Sequence, residues 1–113
     1  MLARANRVVR PEDFRAIVRR GRRTASTSAI YYRLEREDES PARFGFIVSR
    51  AVGGAVDRNR VRRRMRAVSR EIIDAGGRGM DVVVRALPGA AQQGWTSLSA
   101  EMHQNLDAPL IRR

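Results

Sequence analysis

Apolar residues recur along this chain at two spacings, one helical and one alternating, and the switches between them divide it into elements. Phe14, Ile17 and Val18 share one helical face behind Pro11, whose missing N–H costs nothing in a first turn, and Gly21 is a natural stop. Arg15, Arg19, Arg22 and Arg23 make the exposed side and the exit of this helix basic. Between Ser28 and Glu35, Ile30, Tyr32 and Leu34 alternate with Tyr31 and Arg33, the period of a half-buried strand. Residues 35–42, EREDESPA, read as a solvated hairpin loop. A second strand follows in RFGFIVSR, residues 43–50, with Phe44, Phe46 and Val48 opposite Gly45, Ile47 and Ser49.

Gly53 and Gly54 break that pattern, and Asp57 is placed to cap a helix beginning at Arg58. Val61, Met65, Val68 and Ile72 then form one stripe. At about 100° per residue, Asn59, Arg63, Arg66 and Arg70 project opposite the stripe, with Arg58 and Arg62 on one flank and Arg60 and Arg64 on the other. Gly76, Gly77 and Gly79 end the helix, and MDVVVRAL, residues 80–87, is β-branched enough for a central strand closed by Pro88 and Gly89. Thr96 or Ser97 caps a last helix whose Leu98, Met102 and Leu106 share a face, and Pro109 ends it. The order α-β-β-α-β-α predicts a small α+β fold, a single domain over residues 1–113 with its core roughly within 7–107 and helices covering one face of a sheet.

Charge changes this picture most. The 23 basic residues against 12 acidic ones leave a formal charge of +11, an imbalance that repels itself unless a polyanion answers it. Every one of those basic residues is arginine; coding bias explains the absence of lysine, and the planar arginine fork suits phosphate and base contacts all the same. Seven arginines and no acid lie between Asp57 and Glu71. Like charges on adjacent helical turns cost roughly a few tenths of a kcal/mol per pair, a cost that RNA phosphates lying along the helix would offset, with Asn59 free to bond a base edge or 2′-hydroxyl. With no cysteine, no apolar N-terminal run and no stretch long enough to span a bilayer, the chain reads as cytoplasmic, without a membrane partner.

Candidate hydrolytic groups are few. His103 is the only histidine and falls in an amphipathic helix, where it reads as a surface or core-edge residue. Glu71 and Asp74 stand one turn apart beside arginines that favour ion pairing over metal capture. No metal site and no catalytic group is expected in the protein. The residues alone leave open a structural ribosomal or RNA-chaperone-type protein and a DNA-binding module, although the pattern contains no helix-turn-helix.

The stretch FGFIVSRAVGGAVDRNRVRRRMR, residues 44–66, resembles the central motif of the bacterial ribonuclease P protein family, and the resemblance extends from NRVVRPEDFRAIVRRG near the start, through Tyr32, to VVVRALP. It implies a ribosomal-protein-S5-like fold with a left-handed βαβ crossover, and a protein subunit that assists removal of the 5′ leader of precursor tRNA while the ribonuclease P RNA carries catalysis. The implied RNA-binding surface is Arg58, Asn59, Arg60, Arg62, Arg63 and Arg66. The implied cleft for the single-stranded leader is Phe14, Val18 and Tyr32, with Arg50 at its edge; by themselves Phe14 and Tyr32 read as core residues. Mg2+ is implied only as a cofactor bound by the partner RNA. Val18 stands where the family often has an aromatic residue, Ala51 where a basic one is common and Gly54 where asparagine is usual, departures that bear on leader stacking.

Overall fold

In the computed structural model, which describes residues 2–106, Pro11 opens α1 (Pro11–Arg20). Glu12 and Asp13 in its first turn and Arg19 and Arg20 in its last complement the helix dipole. Gly21 follows directly, its N–H bonded to the Ile17 carbonyl at 2.8 Å.

Four strands follow: β1 (Arg22–Ala25), β2 (Ala29–Glu35), β3 (Arg43–Ile47) and β4 (Met80–Ala86). Their order across the sheet is β1-β2-β4-β3, with β1–β2 and β2–β4 antiparallel and β3–β4 parallel. Nothing in the sequence pattern marks β1, because all four of its residues are exposed and carry no apolar alternation. Its arginines leave a basic outer edge that discourages pairing with another strand.

Residues 35–42 are not a hairpin, because β4 lies between β2 and β3. Val82, Val83 and Val84 are all fully buried, so both faces of β4 are covered and only a central position satisfies it. The connecting segment is instead fastened across the end of β4. The Arg36 guanidinium donates to the Met80 carbonyl at 2.9 Å, to the Asp81 carboxylate, and to Ser40 Oγ at 2.6 Å. Arg43 reaches the same Asp81 at 2.7 Å from the neighbouring strand.

The long helix α2 (Ala55–Asp74) returns the chain from β3 to β4, closing a βαβ unit. It starts three residues before Arg58, with Gly54 as its N-cap, so Asp57 is a first-turn residue and not the cap. There it meets the helix dipole and pairs with Arg60 at 2.8 Å. The predicted stripe is buried without exception: Val61, Met65, Val68 and Ile72 are at most 1% exposed. At the other end Gly76, with φ of 104°, bonds back to Ile73, and Gly77 bonds back to Ile72 at 2.9 Å, a paired closure that satisfies the last carbonyls.

The last described helix, α3 (Trp95–Leu106), packs beside α2. Thr96 and Ser97 lie inside its first turn and do not cap it, while the Leu98 N–H reaches the Gly94 carbonyl at 3.1 Å. Pro109, expected to end it, lies outside the described residues.

Helices cover both faces of the sheet, not one. Tyr31, Phe44, Val82 and Val84 join α2 and α3 in the larger core, whereas Tyr32 and Val83 join Ile17 of α1 in a second cluster, with Phe14, Val18, Ile30, Leu34 and Ile47 packed against it. β2, β3 and β4 are apolar on both sides, so a single helical layer would leave Ile30, Tyr32 and Leu34 in water. The segment before α1 protects β3's outer edge: the Val8 N–H donates to the Phe44 carbonyl at 3.0 Å.

Candidate nucleic-acid interface

Burial of the α2 stripe fixes where the rest of that helix points. Asn59, Arg63 and Arg70 are exposed, and Arg58, Arg60, Arg62, Arg64 and Arg66 are partly so. Several are tethered. Arg60 pairs with Asp57, Arg70 with Asp74 at 3.2 Å, and Arg64 Nη1 donates to the Gln93 carbonyl at 2.7 Å. Arg62 makes only long bonds, 3.4 Å to Asn59 Oδ1 and 3.5 Å to the Val48 carbonyl. Among the described residues Arg63 and Arg66 have no polar partner, and the buried Nε of Arg58 has none either. The acids of α2 sit at its two ends, so no carboxylate of the helix itself interrupts the arginine field from Arg58 to Arg70.

Two clefts meet at Phe14 of α1. One, of about 280 Å³, lies between the N-terminal segment, β3 and α2, where Arg62 and Arg66 overhang Val8, Phe14, Phe44 and Phe46. The two phenylalanine rings of β3 stack with centroids 6.5 Å apart. The other, of about 380 Å³, is lined by Phe14, Arg15, Val18, Arg19, Ile47 and Arg85. Between the two, α1 packs on the sheet where Gly45 of β3, in the wall of the first cleft, leaves room: an added Cβ would sit 2.6 Å from the Phe14 ring.

The structure thus brings Phe14 and Val18 together over the sheet. Tyr32 belongs to the same cluster but is only 7% exposed, so its ring supports the cleft floor more than it lines the opening. Arg50 is exposed on a short 3-10 turn, Arg50–Val52, three residues beyond Ile47, and does not line the cleft. Arg85 and Ile47, paired across β3 and β4, do line it and were not singled out from sequence. The available signal was a charge interrupting the apolar run MDVVVRAL: in a strand buried on both faces, Arg85 alone is exposed.

The groups considered for hydrolysis are engaged elsewhere. His103 Nε2 lies 3.1 Å from Glu71 Oε1, joining α3 to α2, and Asp74 holds Arg70. Among the described residues no three acidic or histidine side chains gather as a metal site, and no helix is long and apolar enough to cross a membrane.

A family model described as Ribonuclease P matches residues 2–109. The ribonuclease P protein component of Clavibacter michiganensis is 49% identical over 102 residues, covering 90% of both chains. The chain belongs to the bacterial ribonuclease P protein family. That of Rhodococcus opacus is 42% identical over 118 residues, covering 99% of this chain and 91% of its relative. The fold agrees. The Staphylococcus aureus RNase P protein superimposes with a TM-score of 0.82 at 23% identity over 94% of this chain and 96% of its own. The Thermotoga maritima RNase P protein does so with a TM-score of 0.77 at 20% identity, covering 88% and 94%. Membership in the ribonuclease P protein family places the chain in tRNA 5′ processing and makes RNA its class of partner.

Proposed function

We propose that α2 binds the ribonuclease P RNA through Arg58, Asn59, Arg60, Arg62, Arg63 and Arg66, and that the cleft beneath α1 holds the single-stranded 5′ leader of precursor tRNA. The carrying observation is the arginine field on α2, whose members Arg63 and Arg66 have no acceptor among the described residues. Phosphates are the acceptors that this geometry lacks. The leader would pass over Phe14 and Val18 above Tyr32, with Arg15, Arg19 and Arg85 neutralising its backbone and Arg50 beyond the cleft. An apolar floor with a basic rim suits unpaired nucleotides of any sequence. Because Val18 offers no ring, stacking rests on Phe14 alone at the cleft surface.

In this reading catalysis belongs to the RNA, Mg2+ is held by the RNA, and the protein works in the cytoplasm by positioning substrate and screening repulsion between two polyanions. The residues of this chain do not assemble a metal site among those described, and no chemical step is assigned to them. A reconstituted processing assay tests the division of labour. The purified protein leaves a leader-bearing precursor tRNA uncut, and it promotes cleavage at low magnesium once ribonuclease P RNA is added. Cleavage by the protein without RNA would overturn the proposal.

A further inference from the structure

Trp95 is the only tryptophan of the chain and, among the described residues, one of three large apolar side chains left exposed, at 39%. It occupies the first position of α3, whose other large apolar residues Leu98, Met102 and Leu106 are at most 1% exposed. Its indole N–H has no partner among the described residues. The ring borders an open cleft of about 410 Å³ whose remaining walls are Arg63, Arg64, Arg66 and Ala67 of α2. Arg64 fastens the approach to Trp95 by its bond to the Gln93 carbonyl at 2.7 Å. Ala67, exposed and small, leaves the space beside the ring open. This cleft lies with α2 and α3, on the opposite side of the sheet from α1 and the proposed leader cleft.

We propose that Trp95, with Arg63 and Arg66, forms a stacking platform for an unpaired nucleotide of the RNA that covers α2. The inference rests on the assignment of α2 to the RNA interface and adds to it a base contact that the arginines alone do not supply. Charge selects the occupant: among the described residues three arginines and no carboxylate line the cleft, so an anion is favoured. The flat ring selects among anions. A nucleotide presents a π-face and a phosphate together, and only an unpaired one can turn that face outward. The volume falls within the range of small-ligand sites, about 300–1,000 Å³.

Tryptophan fluorescence reads this contact directly, since no second tryptophan contributes. Saturating ribonuclease P RNA and a short oligoadenylate both quench it, and a short RNA duplex quenches it much less. Trp95→Ala weakens binding to ribonuclease P RNA by between about fivefold and about a hundredfold, the range expected for loss of one stacked base, with the salt dependence unchanged. Trp95→Phe retains most of the affinity. Ala67→Gln, an exposed helical substitution without charge change, weakens binding by occupying the space. Unaltered fluorescence at saturation, together with native affinity of Trp95→Ala, overturns the platform. If Arg62→Ala in the same series binds weakly with a shallower salt slope, α2 remains the interface and only the platform falls; if it too binds like the native protein, the assignment of α2 fails.

Discussion

Gly45 shows how one side chain's absence positions a site. Any Cβ there would meet the Phe14 ring at 2.6 Å and Val8 at 3.1 Å, so α1 can approach the sheet only over hydrogen. Gly45→Ala is expected to lower stability by about 1–3 kcal/mol through overpacking and to weaken binding of leader-bearing precursor tRNA, as thermal melts and affinities of substrates with and without the leader will show. Glu101 is a second such point. Burial would raise its pKa, but donated hydrogen bonds from Ser28 at 2.8 Å and Gln93 at 2.6 Å outweigh it and hold the carboxyl below its ordinary value of 4.5. A carboxyl depressed in the folded state stabilises that state above its unfolded pKa and loses the contribution as pH falls through the folded one. The protein therefore loses stability below about pH 4.5, and Glu101→Gln flattens this acid limb in urea titrations run across pH. Neither point was legible in the sequence, because each depends on which residues the topology sets opposite one another.

At the scale of elements, periodicity located α1, α2 and α3 and the cores of β2, β3 and β4, since burial of one stripe or face leaves a spacing behind. It failed where burial leaves no such trace. β1 exposes all four residues, and Asp57 resembled a cap because the chain turns at Gly53 and Gly54, although the helix starts before it. The arginine field of α2 was readable once the stripe fixed the helix's rotation. Arg58→Ala and Arg62→Ala are each expected to weaken affinity for ribonuclease P RNA and to lower the salt slope by about one, the loss of one phosphate contact. Circular dichroism should show the fold intact, because among the described residues Arg62 makes only long bonds and the Arg58 Nε makes none. Equal slopes in the native and substituted proteins would remove these residues from phosphate contact.

The whole molecule presents a sheet covered on both sides, with α1 over the proposed leader cleft and α2 and α3 over the other face. Neighbouring elements in the sequence suggested a hairpin and one helical layer. Strand order follows instead from β4, whose two buried faces claim the centre and separate β2 from β3. Such a thinly built domain carries a charge of +11, with seven of its arginines on one helix and no acid between the first and the last of them. The coat is tolerable if RNA closes over it in the working complex. Arginine-directed chemical modification, read by mass spectrometry on the free protein and on its complex with ribonuclease P RNA, tests this directly. Arg58, Arg62, Arg63 and Arg66 should react in the free protein according to their exposure and become protected in the complex; equal reactivity with and without RNA would contradict the account.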